Sequence, residues 1–335
     1  MPPVDPLQLE RCIYAFEILG RLSDARIPFI FKGGTAVLLR LESLQRLSVD
    51  VDILCKMPRA KFEKELESKV RGKPFHGWEE KVRKGGLPKR RHYYFHYKSQ
   101  IDSKDNHIII DVVEEKDKIY SNVQDVPVKM PFFSPDHSIT VRVPCVNCLL
   151  SDKMTAFAPN TVGVEYDPEN SMQIIKQLFD IGKLFDVADD IKLITQNYKM
   201  VFDAENSYRR GKYKINSALD DTFNTALLMA KMNIEKSSDP EKEKLLQTGI
   251  NTIQSHLVKC NFKLNEAKVA AGKAALLSVL IKNKSTKRLK DFKDNSKEIE
   301  KLRGLKLPGP YKFLQKLMST NPEAFYYWHQ VIDNL

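Results

Sequence analysis

Apolar and polar positions follow two different periods along the chain, and the change of period divides it. Leu7, Leu9, Ile13, Phe16, Leu19 and Leu22 form a helical stripe that predicts a first helix packed against a sheet. Residues 27–31 are a short apolar run ending in Lys32-Gly33-Gly34-Thr35, and an Ala/Leu-rich helical segment follows to near Glu42. Residues 47–54 then alternate with a period of two. Ser48, Asp50 and Asp52 therefore share one face of a predicted strand, and Val49, Val51 and Ile53 share the other. Residues 107–113 read as a buried strand holding a single acid, Asp111, with further short strands at 126–130 and 138–143. Glycines and prolines among cations make 71–88 a predicted loop. Beyond about residue 190 strand patterns stop, and amphipathic helices are expected at 214–233, 241–259, 264–280 and 310–318, with no repeat period. The rings at 325–329 are expected to close a helical core.

Chemistry enters first at the glycine turn. Adjacent glycines let backbone approach a ligand closely, and the first N–H groups of the following helix have no internal partner, so strand, turn and helix start suit a phosphate. Two carboxylates on one strand face just downstream suit a divalent cation held against a triphosphate, since Mg²⁺ takes one or two carboxylates plus substrate phosphates. The same alternation is also the ordinary wet face of an edge strand. Asp111, inside an apolar strand, needs a cation, a metal or a place at the strand's wet end, because a buried unpaired carboxylate is costly. Within 81–98 basic residues lead into a strand whose Tyr93, Phe95 and Tyr97 alternate with His92, Tyr94 and His96. Such a stretch either stacks bases and contacts phosphates through Lys89, Arg90 and Arg91, or buries its ring face beneath a charged loop.

Lys32-Gly33-Gly34-Thr35 followed by Arg46-Leu47-Ser48-Val49-Asp50-Val51-Asp52-Ile53 resembles the nucleotidyltransferase superfamily with the polymerase-beta-like core. Within it the motifs are most similar to the AbiEii/AbiGii-type toxin nucleotidyltransferases, and the resemblance spans roughly residues 25–190. It implies an α/β (α+β) core with a mixed sheet over residues 1–190, followed by an all-helical C-terminal domain over 191–335. It further implies an enzyme that moves a nucleoside monophosphate from a nucleoside triphosphate to an acceptor, in some members the 3′ end of tRNA, within a toxin–antitoxin or phage-defence (abortive infection) pair. Asp50, Asp52 and Asp111 would then hold Mg²⁺ or Mn²⁺, with Asp111 acting on the nucleophile. Lys32, Gly33, Gly34, Thr35, Arg46 and Ser48 would bind the nucleotide, Ser48 being alternatively a modified residue. Lys153 and Asp180, each on a predicted helix, match the family's lysine and later acid, whereas Ala158-Pro159-Asn160 stands where many relatives carry an arginine. Nucleotidyl transfer to a small molecule of the antibiotic type, and a non-catalytic nucleotide- or RNA-binding module, are the competing expectations.

Length, composition and the chain's start add four points. The chain has 335 residues, room for about two domains. Its net charge of +11 favours polyphosphate and nucleic-acid partners, to which the lysine-rich run 282–290 also points. Five scattered cysteines fit reduced thiols better than disulfides, and Cys145-Val146-Asn147-Cys148 is half a zinc site with no second half in the sequence. The start Met1-Pro2-Pro3-Val4-Asp5 lacks a basic, apolar signal, and no run approaches the ~20 apolar residues of a membrane span, so a cytoplasmic chain with no membrane partner is expected.

Overall fold

The computed structural model describes residues 5–81, 90–114, 118–133, 135–293, 296–302 and 304–335. Two compact units emerge: residues 1–145 with 255–260, and residues 146–254 with 261–335. The units change over at 145/146.

In the first unit, helix α1 (Pro6–Asp24) is started by Asp5, whose carboxylate accepts from the Leu7 N–H at 2.9 Å. Its buried stripe, Cys12, Ala15, Phe16, Leu19 and Leu22, is the one the periodicity predicts. Strands β1 (Phe29–Lys32), β2 (Val51–Cys55), β3 (Phe75–Glu80), β4 (Arg90–Lys98) and β5 (Asp105–Val113) form one sheet in the order β1-β2-β5-β4-β3. The sheet is mixed: β2 and β5 are parallel and the other neighbours antiparallel. A parallel pair needs a crossover, which here comprises α3 (Arg59–Glu65), β3 and β4. Helix α2 (Gly33–Leu38) follows β1 directly, and a ribbon of β6 (Val123–Pro127) with β7 (Thr140–Pro144) completes the unit.

Strand β3 lies where a loop is expected. Its Trp78 packs edge-on against Tyr93 at 5.6 Å and stacks on Phe95, so ring burial outweighs the local glycine and proline signals. Tyr93, Phe95 and Tyr97 are fully buried among Phe62, Phe75 and Tyr14. Those rings form core, and the base-stacking alternative for that face is withdrawn.

From Val146 on, every regular element among the described residues is helical: α4 (Val146–Ala156), α5 (Ser171–Val187), α6 (Ile191–Tyr208), α7 (Ile215–Lys231), α8 (Pro240–Ile253), α9 (Leu264–Lys282), α10 (Ser296–Lys301), α11 (Leu317–Thr320) and α12 (Pro322–Ile332), with short 3-10 turns between. The alanine-rich α9 is buried nearly all round, with α5, α7 and α12 against it, and Trp328 and Tyr327 of α12 are fully buried. All five cysteines are free thiols, Cys145 and Cys148 buried among them. No helix among the described residues is long and apolar enough to cross a membrane.

Candidate active site

The site grows from the end of β1. Gly33 has φ of 75°, and a Cβ placed there would lie 1.9 Å from Asp52 Oδ2. A Cβ on Gly34 would lie 2.6 Å from an Arg46 guanidinium nitrogen and 2.8 Å from Ser48 Oγ. The two glycines are therefore the space into which Asp52, Arg46 and Ser48 fit, and the loop closes on the acid segment because it has no side chains of its own. Gly33→Ala is expected to cost about 1–2 kcal/mol from the left-handed backbone alone, and to displace the Asp52 carboxylate. Thermal melting and a transfer assay check it; a variant with parental activity would remove the turn from the site.

Thr35 is fully buried, and its Oγ1 donates to the Asp50 carbonyl at 2.6 Å. Its side chain thus fixes the backbone that carries Asp50. Regular strand begins only at Val51, yet alternating burial runs from Leu47 to Ile53, leaving Ser48, Asp50 and Asp52 half-exposed on the same side. Residues 255–260 pin the segment from its other edge: Leu47 donates to the His256 carbonyl at 2.7 Å and Val258 to the Gln45 carbonyl at 2.8 Å. Beneath it, burial pushes the Cys12 thiol up to about 12, against the opposing pull of the Ser48 backbone and the Arg46 guanidinium.

Register then assembles what sequence separation hides. Lys32 pairs with Asp52, Asp52 with Asp111, and Asp111 with His92. Directly paired residues share a sheet face, so a row Lys32, Asp52, Asp111, His92 crosses four neighbouring strands at about 4.8 Å per step. Asp111 is 22% exposed on its side chain, so it sits at neither extreme expected for it. His107 of β5 is lowered by burial first, then by Arg11 and other cations, while Asp50 pulls it the other way.

Hard oxygen donors are what this row offers a cation, and the Gly33 hollow leaves room for the Asp52 carboxylate. Among the described residues no three His, Cys, Asp or Glu side chains converge into a ready-made metal cage. The donor set fits an ion that takes its remaining ligands from a nucleotide.

In the second unit Lys153 of α4 and Asp180 of α5 are brought together at 3.0 Å, with side chains only 6% and 1% exposed. Lys153 Nζ also donates to Gln177 Oε1 at 3.1 Å. Lys153 is therefore a buried, paired lysine and not a solvated helix residue. Asn160, in the Ala158-Pro159-Asn160 stretch, is bound to buried Asp221 through both its backbone N–H, 2.7 Å, and its amide, 2.6 Å.

The basic patch is reduced by the structure. Lys89 lies outside the described residues, and Arg90 is exposed. Arg91 is 5% exposed, with Nε 2.9 Å from Glu114, a bond to the Met57 carbonyl at 3.2 Å and its guanidinium over the Phe62 ring. As an RNA contact Arg91 is corrected: it is a structural cation on the buried parity of β4. In the run 282–290, Lys282 pairs with Asp220 at 2.6 Å and Lys287 reaches Asn334 Oδ1 at 2.8 Å.

Residues 17–263 match the family model described as Nucleotidyl transferase AbiEii toxin, Type IV TA system. Among solved structures, JHP933 from Helicobacter pylori is similar at 14% identity, covering 90% of this chain and 100% of its own, with a TM-score of 0.46. An antigenic nucleotidyltransferase-like protein from Paracoccidioides brasiliensis is similar at 15% identity, covering 66% of this chain and 95% of its own, with a TM-score of 0.40. No curated protein matches the chain.

Proposed function

This chain belongs to the AbiEii nucleotidyltransferase toxin family of type IV toxin–antitoxin systems, and from that premise we propose a divalent-metal-dependent transferase that adds a nucleoside monophosphate to RNA, with the 3′ end of tRNA as acceptor. The observation that carries the reading is the row Lys32, Asp52, Asp111, His92 closed at one end by the glycine turn. In this reading the turn's backbone and Lys32 hold the triphosphate, and Ser48 and Arg46 line the same side. Asp50 and Asp52 offer carboxylates to Mg²⁺ or Mn²⁺, which when bound neutralises phosphate charge and templates an in-line displacement. Asp111 takes the proton of the attacking hydroxyl as its oxygen bonds to the α-phosphorus. The α–β bridging bond breaks and pyrophosphate leaves.

Lys153 is retained as a cation for the triphosphate and Asp180 as its counter-ion. The first unit is read as the transferase core and the helices after residue 146 as a helical domain of their own. The family implies a cognate antitoxin, and the proposal extends to a phage-defence (abortive infection) role and a cytoplasmic location.

The test is incubation with each labelled nucleoside triphosphate and total RNA, with Asp52→Asn as control, followed by identification of the labelled species. Label in a small molecule but not in RNA would replace the acceptor; no label with any acceptor, despite nucleotide binding, would leave a binding module. A further expected result concerns salt. RNA affinity should fall at least ~10-fold between low and physiological salt, and neutralising Lys89 with Arg90 should reduce the slope by about 1 per charge removed. Arg91 is left out of that variant because its loss would unpair Glu114. A slope indifferent to the change, measured by filter binding, would move the RNA contact elsewhere.

A further inference from the structure

We infer that His92 is a positioning residue for Asp111, holding its carboxylate in the orientation that the transfer step requires. The inference rests on the reading of Asp111 given above. His92 is 6% exposed, stands directly opposite Asp111 on the neighbouring strand, and places Nδ1 3.5 Å from Asp111 Oδ1. That same oxygen is buried without a hydrogen bond of good geometry. A buried carboxylate oxygen left so costs free energy, and the His92 ring nitrogen 3.5 Å away is placed to donate to it when that nitrogen carries the proton. Contacts of this kind are often long without substrate and tighten in the reacting complex.

Asp111 is flanked on its other side by Asp52, in register. A like charge there repels the Asp111 carboxylate. On the β4 side a donor on a rigid strand can fix its rotation, because His92 is immobilised by its place in the sheet: its carbonyl accepts from Lys81 N at 2.9 Å. Partners that orient a ligating or reacting carboxylate typically contribute ~10–100-fold to metal affinity or activity. The sequence-derived motifs contain no histidine, so His92 adds to the Gly-Gly and Asp-x-Asp set a residue that only strand pairing reveals.

The experiment uses the full chain and five variants, the fifth combining His92→Phe with Asp111→Asn. His92→Phe keeps an aromatic ring and removes the donor; His92→Leu is measured as well, so that one misfolded protein does not end the test. His92→Asn puts an amide donor near the Nδ1 position, and Asp111→Asn is the reference. Readouts are kcat and nucleotide KM with the acceptor found above, Mn²⁺ affinity by titration in the presence of a non-hydrolysable nucleotide, and melting temperature. The expected result is a kcat lowered ~10–100-fold and Mn²⁺ binding weakened about 10-fold in the donorless variants, with nucleotide KM little changed and the asparagine variant largely restored. In the Asp111→Asn background, loss of His92 should add little, because the two act as a unit. Parental kcat and Mn²⁺ affinity in the donorless variants would overturn the inference, as would an asparagine variant no better than they are at equal melting temperature. If Asp111→Asn itself keeps parental activity, the reading of Asp111 fails and the inference falls with it.

Discussion

Asp52→Asn is expected to abolish transfer while leaving the fold intact, and Asp50→Asn to do the same. Loss of a partner that merely supports a metal-binding group costs ~10–100-fold, so removal of the carboxylate itself should exceed about 100-fold in kcat/KM. The fold should not object. Asparagine keeps the shape that fits over Gly33, and the change relieves repulsion with Asp111, which is directly paired with Asp52 across β2 and β5. Melting should therefore stay constant or rise slightly. Labelled-nucleotide transfer and thermal melting on the same preparations decide the matter: activity within tenfold of the parent in both variants would remove these acids from the metal role.

The parts of this site that were legible in the sequence are local ones. A Gly-Gly turn between a strand and a helix, and a strict period of two from Leu47 to Ile53, depend on neighbours a few residues away, and burial alternates there as the pattern requires. The parallel pairing of β2 with β5 was not legible, because it joins residues about sixty apart, and with it went the pairing of Asp52 to Asp111; Asp111 opposite His92 depends instead on the register of the β4–β5 hairpin, which the alternation alone does not set. The return of residues 255–260 to pin Gln45 and Leu47 is likewise hidden by sequence separation.

The burial of two charged residues did leave a signal. Arg91 shares strand parity with Tyr93, Phe95 and Tyr97, so a buried ring face carries the arginine inward, while Arg90 on the other parity remains exposed. Lys153 has Leu149, Leu150 and Phe157 at helical spacing around it, which marks the inward side of α4. In both cases charge outweighed periodicity in the reading of a residue whose position was set by periodicity.

Lys153→Ala is expected to destabilise the protein strongly, which reverses the small effect that a solvated lysine would have. The mutation leaves Asp180, 1% exposed on its side chain, without its 3.0 Å ammonium partner. Breaking a buried pair from one side costs about 3–5 kcal/mol, because the remaining charge stays buried after losing its ion partner. At ~2–4 °C per kcal/mol for a unit of this size, the melting temperature should drop by roughly 10 °C. A loss of transfer in that variant would be ambiguous, since misfolding alone produces it. The combined Lys153→Met and Asp180→Leu variant separates the two roles. Replacing both partners of a buried pair with apolar side chains of similar volume is often neutral or stabilising, so most of the lost stability should return. If Lys153 also serves the triphosphate, nucleotide binding and transfer should stay impaired in the double variant despite its recovered melting temperature. Parental kinetics there would make the pair purely structural, and a Lys153→Ala protein melting within about 2 °C of the parent would refute the buried-pair argument.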